Sequence, residues 1–401
     1  MSFLRAARAA SAGHGGLCLS LRLFPCRALA ATVIILVLAG LSLSCGSSSS
    51  PSFAVNAIAY VTLPSQGSVL LLNIEGATGV ITAGANTPPV QGISPTGLAL
   101  LPSKNFLYAA DSHANTISIF SVANNGTLTL TGSPIPAGNG PDAAVIDPSG
   151  QYLLVTNNFS NNISVFSITG GGGTLTEVAG SPFFANANPT EILFTHSGQF
   201  VYVTNPGIGT VTGFSFDSAS GLLSQLPTSP VTSGNGAAAL AVDASDQYLY
   251  VANASASNPP PYTATIGNIS AFSIDSGSGA LTPLLGSPFT STNGTGPAAI
   301  AVDPTGHFVY AVTPGSSNSI WCFAITAGNG ELVPVTDSPF SLAAGAQFAL
   351  FDPSGNFFYI GSESGAAIEG YTYNPSTGAL KAITGSPFST GVGPGEMVLS
   401  D

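Results

Sequence analysis

One unit is written over and over along this chain. "DPSGQYLLVTNNFSNNISVFSI" (Asp147–Ile168) returns as "DPTGHFVYAVTPGSSNSIWCFAI" from Asp303 and as "DPSGNFFYIGSESGAAIEGYTY" from Asp352. Aligning the turn and its variants puts Pro102, Pro148, His196, Ala244, Pro304 and Pro353 in register, 46, 48, 48, 60 and 49 residues apart. A period near 48 residues is the length of one supersecondary unit that cannot bury its own faces and must stack on its neighbours.

Each unit carries four strand signals. In the sixth they are "AAIAV" (Ala298–Val302), "HFVYAVT" (His307–Thr313), "SIWCFAI" (Ser319–Ile325) and "GELVPV" (Gly330–Val335). Short β-branched and aromatic runs between Gly, Pro, Asn and Ser clusters read as strands. With 48 Gly and 30 Pro against 6% charged residues, the composition suits many short strands and tight turns. "DPSG" suits a type I turn. "GSPF", at Gly180, Gly286 and Gly385, is expected to turn the chain from the outer edge back towards the centre.

Second-strand signals begin at Ala57, Asn105, Gln151, Gln199, Gln247, His307 and Asn356; first-strand signals fall near Thr96, Asp142, Thr190, Ala238, Ala298, Gln347 and Glu396. The chain therefore opens with a second strand and ends with a first. The expected fold is all-β: a seven-bladed β-propeller of four-stranded blades, closed by pairing of the C-terminal strand with the N-terminal blade so that no long sheet edge stays open. The strands "QFVYVTN" and "QYLYVAN" resemble the YVTN repeat. The unit as a whole is similar to the lactonase-like seven-bladed propellers of the 6-phosphogluconolactonase type, over roughly Ala54 to Asp401.

The first 53 residues are of another kind. All four arginines (Arg5, Arg8, Arg22, Arg27) precede the apolar run "ALAATVIILVLAGLSL", which is followed by "SCGSSSSPS". This is the layout of an export signal, expected over residues 1–44. "LSLSC" resembles a bacterial lipobox, with Ser42 where Leu is usual, so Cys45 is the expected lipid attachment site and residues 45–53 a Ser-rich tether. A plain secretory signal or an uncleaved anchor is the alternative, and the long basic segment leaves room for a real start downstream of Met1. The expected location is the cell envelope, periplasmic or outer-membrane, or else the exterior. Cys322 is then the lone cysteine of the propeller, without disulfide or metal spacing.

Beyond residue 53 the only basic side chains are Lys104 and Lys381, against all 18 acidic ones. Nucleic-acid binding is excluded on charge. In a propeller the first strands line a central channel, and the loops entering them share a face with the second-to-third loops. That topology places Asp142, Glu191, Gln347 and Glu396 at the channel, and Asp111 and His113 in a loop on the same face. It also places there the insertion "SASNPPPYTATIG" (Ser255–Gly267) of blade five, with Tyr262 near its tip as a candidate ligand contact. The lactonase resemblance implies His and Arg at the starts of the first strands. The matching stretches read "GPDAAV", "NPTEIL" and "GPGEMV" and hold Asp142, Glu191 and Glu396 instead, so no catalytic residue carries over. Paired carboxylates can serve as acid and base, or bind a cation or a hydroxyl-rich ligand.

The reading is an exported binding or scaffold module at the envelope, with a carboxylate-based lactone hydrolase as the alternative. No cofactor or metal is expected. The expected partner is a small molecule, a carbohydrate or an envelope component, with the membrane met only through the N-terminal lipid and the chain acting as a monomer. The recurring aromatics Tyr152, Phe200, Tyr248, Phe308 and Phe357, with Trp321 and Cys322, are expected in the core.

Overall fold

In the computed structural model the described residues are 55–84, 94–254, 267–290, 296–314, 318–343 and 345–400. Their strands form seven antiparallel sheets, each running outward from an inner strand to an outer one. Blade one consists of Met397–Ser400, Val55–Leu63, Ser68–Glu75 and Ile81–Ala83; the inner strands of blades two to seven are Pro95–Leu100, Pro141–Ile146, Ile192–Phe194, Ala237–Val242, Ala299–Val302 and Phe348–Phe351. The ring closes as the sequence requires. Ile58 pairs with Ser400 and Val61 with Met397, so the last strand of the chain is the inner strand of the first blade.

Burial follows position in the blade. Second strands such as Tyr152–Asn157, Phe200–Asn205 and Phe308–Thr313 are buried at every residue, because a neighbouring blade covers each face. Third strands lose burial towards their ends, Ser319–Ile325 burying five of seven residues, and outer strands such as Leu332–Pro334 bury a single residue. Seven apolar clusters result, one at each junction between blades: Tyr60, Leu98 and Phe120 join blades one and two, and Ala59, Phe348 and Phe357 join seven and one. Removing each large side chain from water contributes roughly 1.5–3 kcal/mol. Tyr152, Phe200, Phe308, Phe357, Trp321 and Cys322 are buried in these clusters, and Tyr248 packs partly buried against one.

Two polar devices lock the repeat. In six blades a second-strand tyrosine (Tyr60, Tyr108, Tyr202, Tyr250, Tyr310, Tyr359) donates its hydroxyl, at 2.6–3.0 Å, to a glycine carbonyl in the outer turn of the next blade. Burial pushes the Tyr60 phenol up to about 12, so it remains a donor. Blade three has Leu154 at this position, and Tyr152 reaches the Ala219 carbonyl instead at 3.1 Å. The second device is the buried aspartate of the turn. Asp147 Oδ1 accepts the N–H groups of Gln151 and Tyr152 at 2.8 and 2.7 Å, and Gly150 N–H closes on the Asp147 carbonyl at 2.9 Å. Asp243, Asp303 and Asp352 repeat the arrangement.

"GSPF" does more than turn the chain. After the Ser–Pro bond, which is cis in five blades, a two-residue segment such as Phe183–Phe184 pairs with the third strand of its own blade. The serine fills the gap before it: Ser181 Oγ accepts the Val165 N–H at 2.9 Å, and Ser338 Oγ accepts that of Cys322 at 2.9 Å. Six blades thus carry a fifth short strand beyond the four read from the sequence.

Candidate functional site: an acidic central pocket

The inner strands converge on a cavity of about 370 Å³ whose polar lining includes Thr96, Asp142, Thr190, Glu191, Gln347 and Glu396. Four of the residues singled out from the sequence, Asp142, Glu191, Gln347 and Glu396, therefore meet in one place. The remaining wall is apolar and includes Ala239, Leu240, Ile300, Phe348, Leu350 and Met397.

The repeat itself aims these side chains. The threonine of the second strand accepts a backbone N–H from the start of the inner strand: Thr62 Oγ1 from Glu396 at 2.8 Å, Thr204 Oγ1 from Glu191 at 3.0 Å, and Thr156 Oγ1 from Ala143 at 3.0 Å. In blades two, three and five the register slips by one residue where the inner strand begins. Such a bulge leaves an extra residue unpaired and re-aims it; here it presents Thr96, Asp142 and Ala238 to the cavity. Inner strands also approach closely. A Cβ at Gly97 would stand 2.5 Å from the Asp142 carbonyl oxygen, so only glycine fits there.

Three carboxylates share this space without a cation. Burial raises the Asp142 pKa. Burial, reinforced by the negative charge of Asp142, pushes Glu191 up to about 7. Glu396 is held well above the usual carboxylate range by burial and then by Glu191, against the opposing pull of the Leu98 N–H, with Asp142 adding to the rise. That N–H donates to Glu396 Oε2 at 2.7 Å. Among the described residues, no protein group donates a hydrogen bond to the carboxylates of Asp142 or Glu191, which leaves both open to a ligand. The pocket lining contains no Lys, Arg or His. Lys104 lies in a turn on the opposite face and Lys381 on an outer strand. No three His, Cys, Asp or Glu side chains among the described residues stand close enough to hold a metal ion.

Asp111 requires a correction. Its side chain is buried and folds its own turn, with Oδ1 accepting the N–H groups of His113 and Ala114 at 3.0 Å each, so it is scaffold and not pocket lining. His113 is exposed and lines a neighbouring cavity. Tyr262 and Cys45 lie outside the described residues. Glu363, in the second-to-third loop of blade seven, was missed by sequence reasoning. It accepts a hydrogen bond from Gln347 Nε2 and lines the mouth of the channel. The topology that singled out His113 applies equally to this loop.

The family model described as "Lactonase, 7-bladed beta-propeller" matches residues 52–183, 179–290 and 267–392. The chain belongs to the seven-bladed β-propeller lactonase family. No curated protein matches it. Among solved structures, this lactonase-family chain is similar to a protein from Bacteroides fragilis proposed to be a 6-phosphogluconolactonase, at 16% identity and TM-score 0.73 over 87% of this chain and 99% of that one. A second such protein, from Bacteroides uniformis, matches at 20% identity and TM-score 0.69 over 86% and 99%. The periplasmic gluconolactonase of Pseudomonas aeruginosa matches at 17% identity and TM-score 0.68 over 86% and 99%. At these identities the likeness speaks for the fold alone.

Proposed function

We propose that this lactonase-family propeller is an exported binding module whose central pocket takes an uncharged, hydroxyl-rich small molecule, a sugar or sugar lactone. One observation carries the reading: Asp142, Glu191 and Glu396 line a single cavity with no cation among them. Carboxylates free of protein partners are strong acceptors for sugar hydroxyls. The same charges repel a phosphorylated sugar acid, which needs Arg or Lys to clamp it. The export reading, with a lipid on Cys45 holding the propeller at the envelope, rests on the N-terminal pattern of basic, apolar and Ser-rich segments.

Hydrolysis of such a lactone is a second reading, favoured by the unequal environments of the two glutamates. Glu191, raised to about 7, is part ionised at neutral pH, and Glu396, also raised by burial, differs from it in accepting the Leu98 N–H on Oε2. Two carboxylates in unequal surroundings suit a base and an acid. Glu191 would take a proton from water as its oxygen bonds to the lactone carbonyl carbon. Glu396 would give its proton to the ring oxygen as the C–O bond breaks. The hydroxy acid formed becomes an anion, which an acidic pocket expels.

The test combines binding and turnover. Glucono-1,5-lactone and glucose are each titrated calorimetrically, and acid release from the lactone is followed above its spontaneous rate. Binding of either compound, lost in Glu191→Gln/Asp142→Asn, supports the module. Turnover abolished by Glu191→Gln or Glu396→Gln establishes the hydrolase. Tighter binding of 6-phosphogluconate than of glucose would refute the neutral-ligand reading.

A further inference from the structure

A second cavity, of about 450 Å³, opens beside the central one between blades two and three, and Thr96 and Asp142 line both. Each volume lies within the roughly 300–1,000 Å³ typical of small-molecule sites. The cavity's other polar residues are Ser112, His113 and Asn158, the last with its side-chain amide donating to the Pro189 carbonyl at 3.3 Å and accepting from Asn188 Nδ2 at 3.4 Å. Its apolar wall is Phe159, a side chain 74% exposed.

That phenyl ring rests on the backbone at Gly140 and is otherwise open to solvent. Gly140 has φ +65° and lies so close that a Cβ there would stand 2.5 Å from the ring Cδ2 and 3.0 Å from Cε2. Only glycine fulfils both demands. The loop carrying the ring is strapped to the segment before Gly140. Asn158 N–H donates to the Gly140 carbonyl at 2.8 Å, Phe159 N–H to the Asn139 carbonyl at 3.1 Å, and Asn139 N–H to Ser160 Oγ at 2.7 Å. Gly140 N–H is in turn held by Asn115 Oδ1 of the preceding blade at 2.7 Å. An aromatic ring lying on backbone, carried by a loop strapped to the segment before it, is a platform on which a ligand can stack while ordering little of the loop.

The geometry points to a second sugar subsite. One ring of the ligand sits in the central pocket and a second, joined to it, stacks on Phe159 with its hydroxyls facing Ser112 and His113. Asp142, without a protein hydrogen bond among the described residues, stands where the two cavities meet and accepts hydroxyls from both rings. The ligand class is therefore a disaccharide or a glycosylated lactone, in preference to a monosaccharide. This rests on the neutral-ligand reading of the central pocket.

Calorimetric titration of the full propeller with glucose, galactose, cellobiose and lactose tests it, on wild type, Phe159→Ala and Phe159→Tyr. The disaccharides should bind at least tenfold more tightly than their monosaccharides. Phe159→Ala should reduce that advantage to below threefold and leave monosaccharide affinity unchanged, and Phe159→Tyr, which keeps the ring, should preserve it. Equal affinity of mono- and disaccharides for the wild type, or an advantage that survives Phe159→Ala, overturns the second subsite while leaving the central pocket's reading intact. Failure of all four sugars to bind also overturns the second subsite, and sinks the central reading with it when glucono-1,5-lactone fails as well.

Discussion

If three carboxylates are forced into one cation-free pocket, the folded protein must be less stable when they ionise. Glu191 gives the magnitude. An unfolded chain would titrate it near its ordinary 4.5, whereas the folded chain holds it at about 7, by burial first and the charge of Asp142 second. Between those values the folded state keeps a proton that the unfolded state has released. Its contribution to stability is therefore fully present below pH 4.5 and is lost as pH rises through about 7. At about 1.36 kcal/mol per pKa unit, the difference amounts to roughly 2–3 kcal/mol once screening by water in the channel is allowed for. Asp142 and Glu396, both raised, act with the same sign. Glu191→Gln cannot ionise, and it also frees Glu396 of a neighbouring charge. Urea unfolding, followed by the fluorescence of the single Trp321, should show the wild-type midpoint falling relative to the variant's from pH 5 to pH 8. For a slope of about 3 kcal/mol per molar urea, reasonable for a large domain, the relative fall is slightly under 1 M. Wild-type and variant midpoints that stay parallel across this range would refute the electrostatic account of the pocket and the general-base role drawn from it.

Two further outcomes follow from packing between blades. Tyr202→Phe removes the hydroxyl that donates to the Gly279 carbonyl at 2.7 Å, leaving a buried acceptor unpaired. It should cost about 1–3 kcal/mol in chemical denaturation, more than Tyr152→Phe, whose bond to Ala219 is longer and only partly buried. Gly97→Ala places a methyl group 2.5 Å from the Asp142 carbonyl and should cost about 1–3 kcal/mol while weakening ligand binding, because the displaced strand carries a pocket carboxylate. Unchanged affinity in that variant would show that Asp142 is not held by this contact.

The ring was legible because closure is a counting problem. Seven first strands, seven second strands and an offset between the chain's two ends leave one way to pair "EMVLS" (Glu396–Ser400), with the opening blade. The acidic pocket was legible for the same reason, since residues at one register position of a repeat must meet at the axis. Features set by pairs of blades were harder to read. Nothing within a single unit says that the tyrosine of "YVTN" reaches a glycine carbonyl of the next blade, or that its threonine supports the residue lining the channel. Asp111 looked like a companion for His113 because sequence proximity does not distinguish a carboxylate folding a turn from one facing a cavity. Phe159 was hidden in "NNFSNN" as one more loop residue. Its meaning depends on Gly140, nineteen positions earlier, which meets it only once the inner and second strands of blade three have paired.

The repeat also explains why such a site tolerates so much like charge. A carboxylate in an ordinary core would have to be neutralised by a partner or expelled. Here the side chains that set the pocket's chemistry project from the starts of inner strands, while stability resides in second strands buried on both faces and clamped by Tyr and Asp hydrogen bonds. The pocket glutamates meet this layer through their backbone N–H groups, which donate to Thr204 and Thr62. Exchanging His or Arg for Glu at the channel therefore leaves the inter-blade clusters untouched, and a few kcal/mol of charge repulsion at the axis is spread over a ring with seven such clusters. The ligand preference of the pocket can change sign while the propeller stays the same, which is why family membership establishes the architecture here and the charge of the lining must decide what enters.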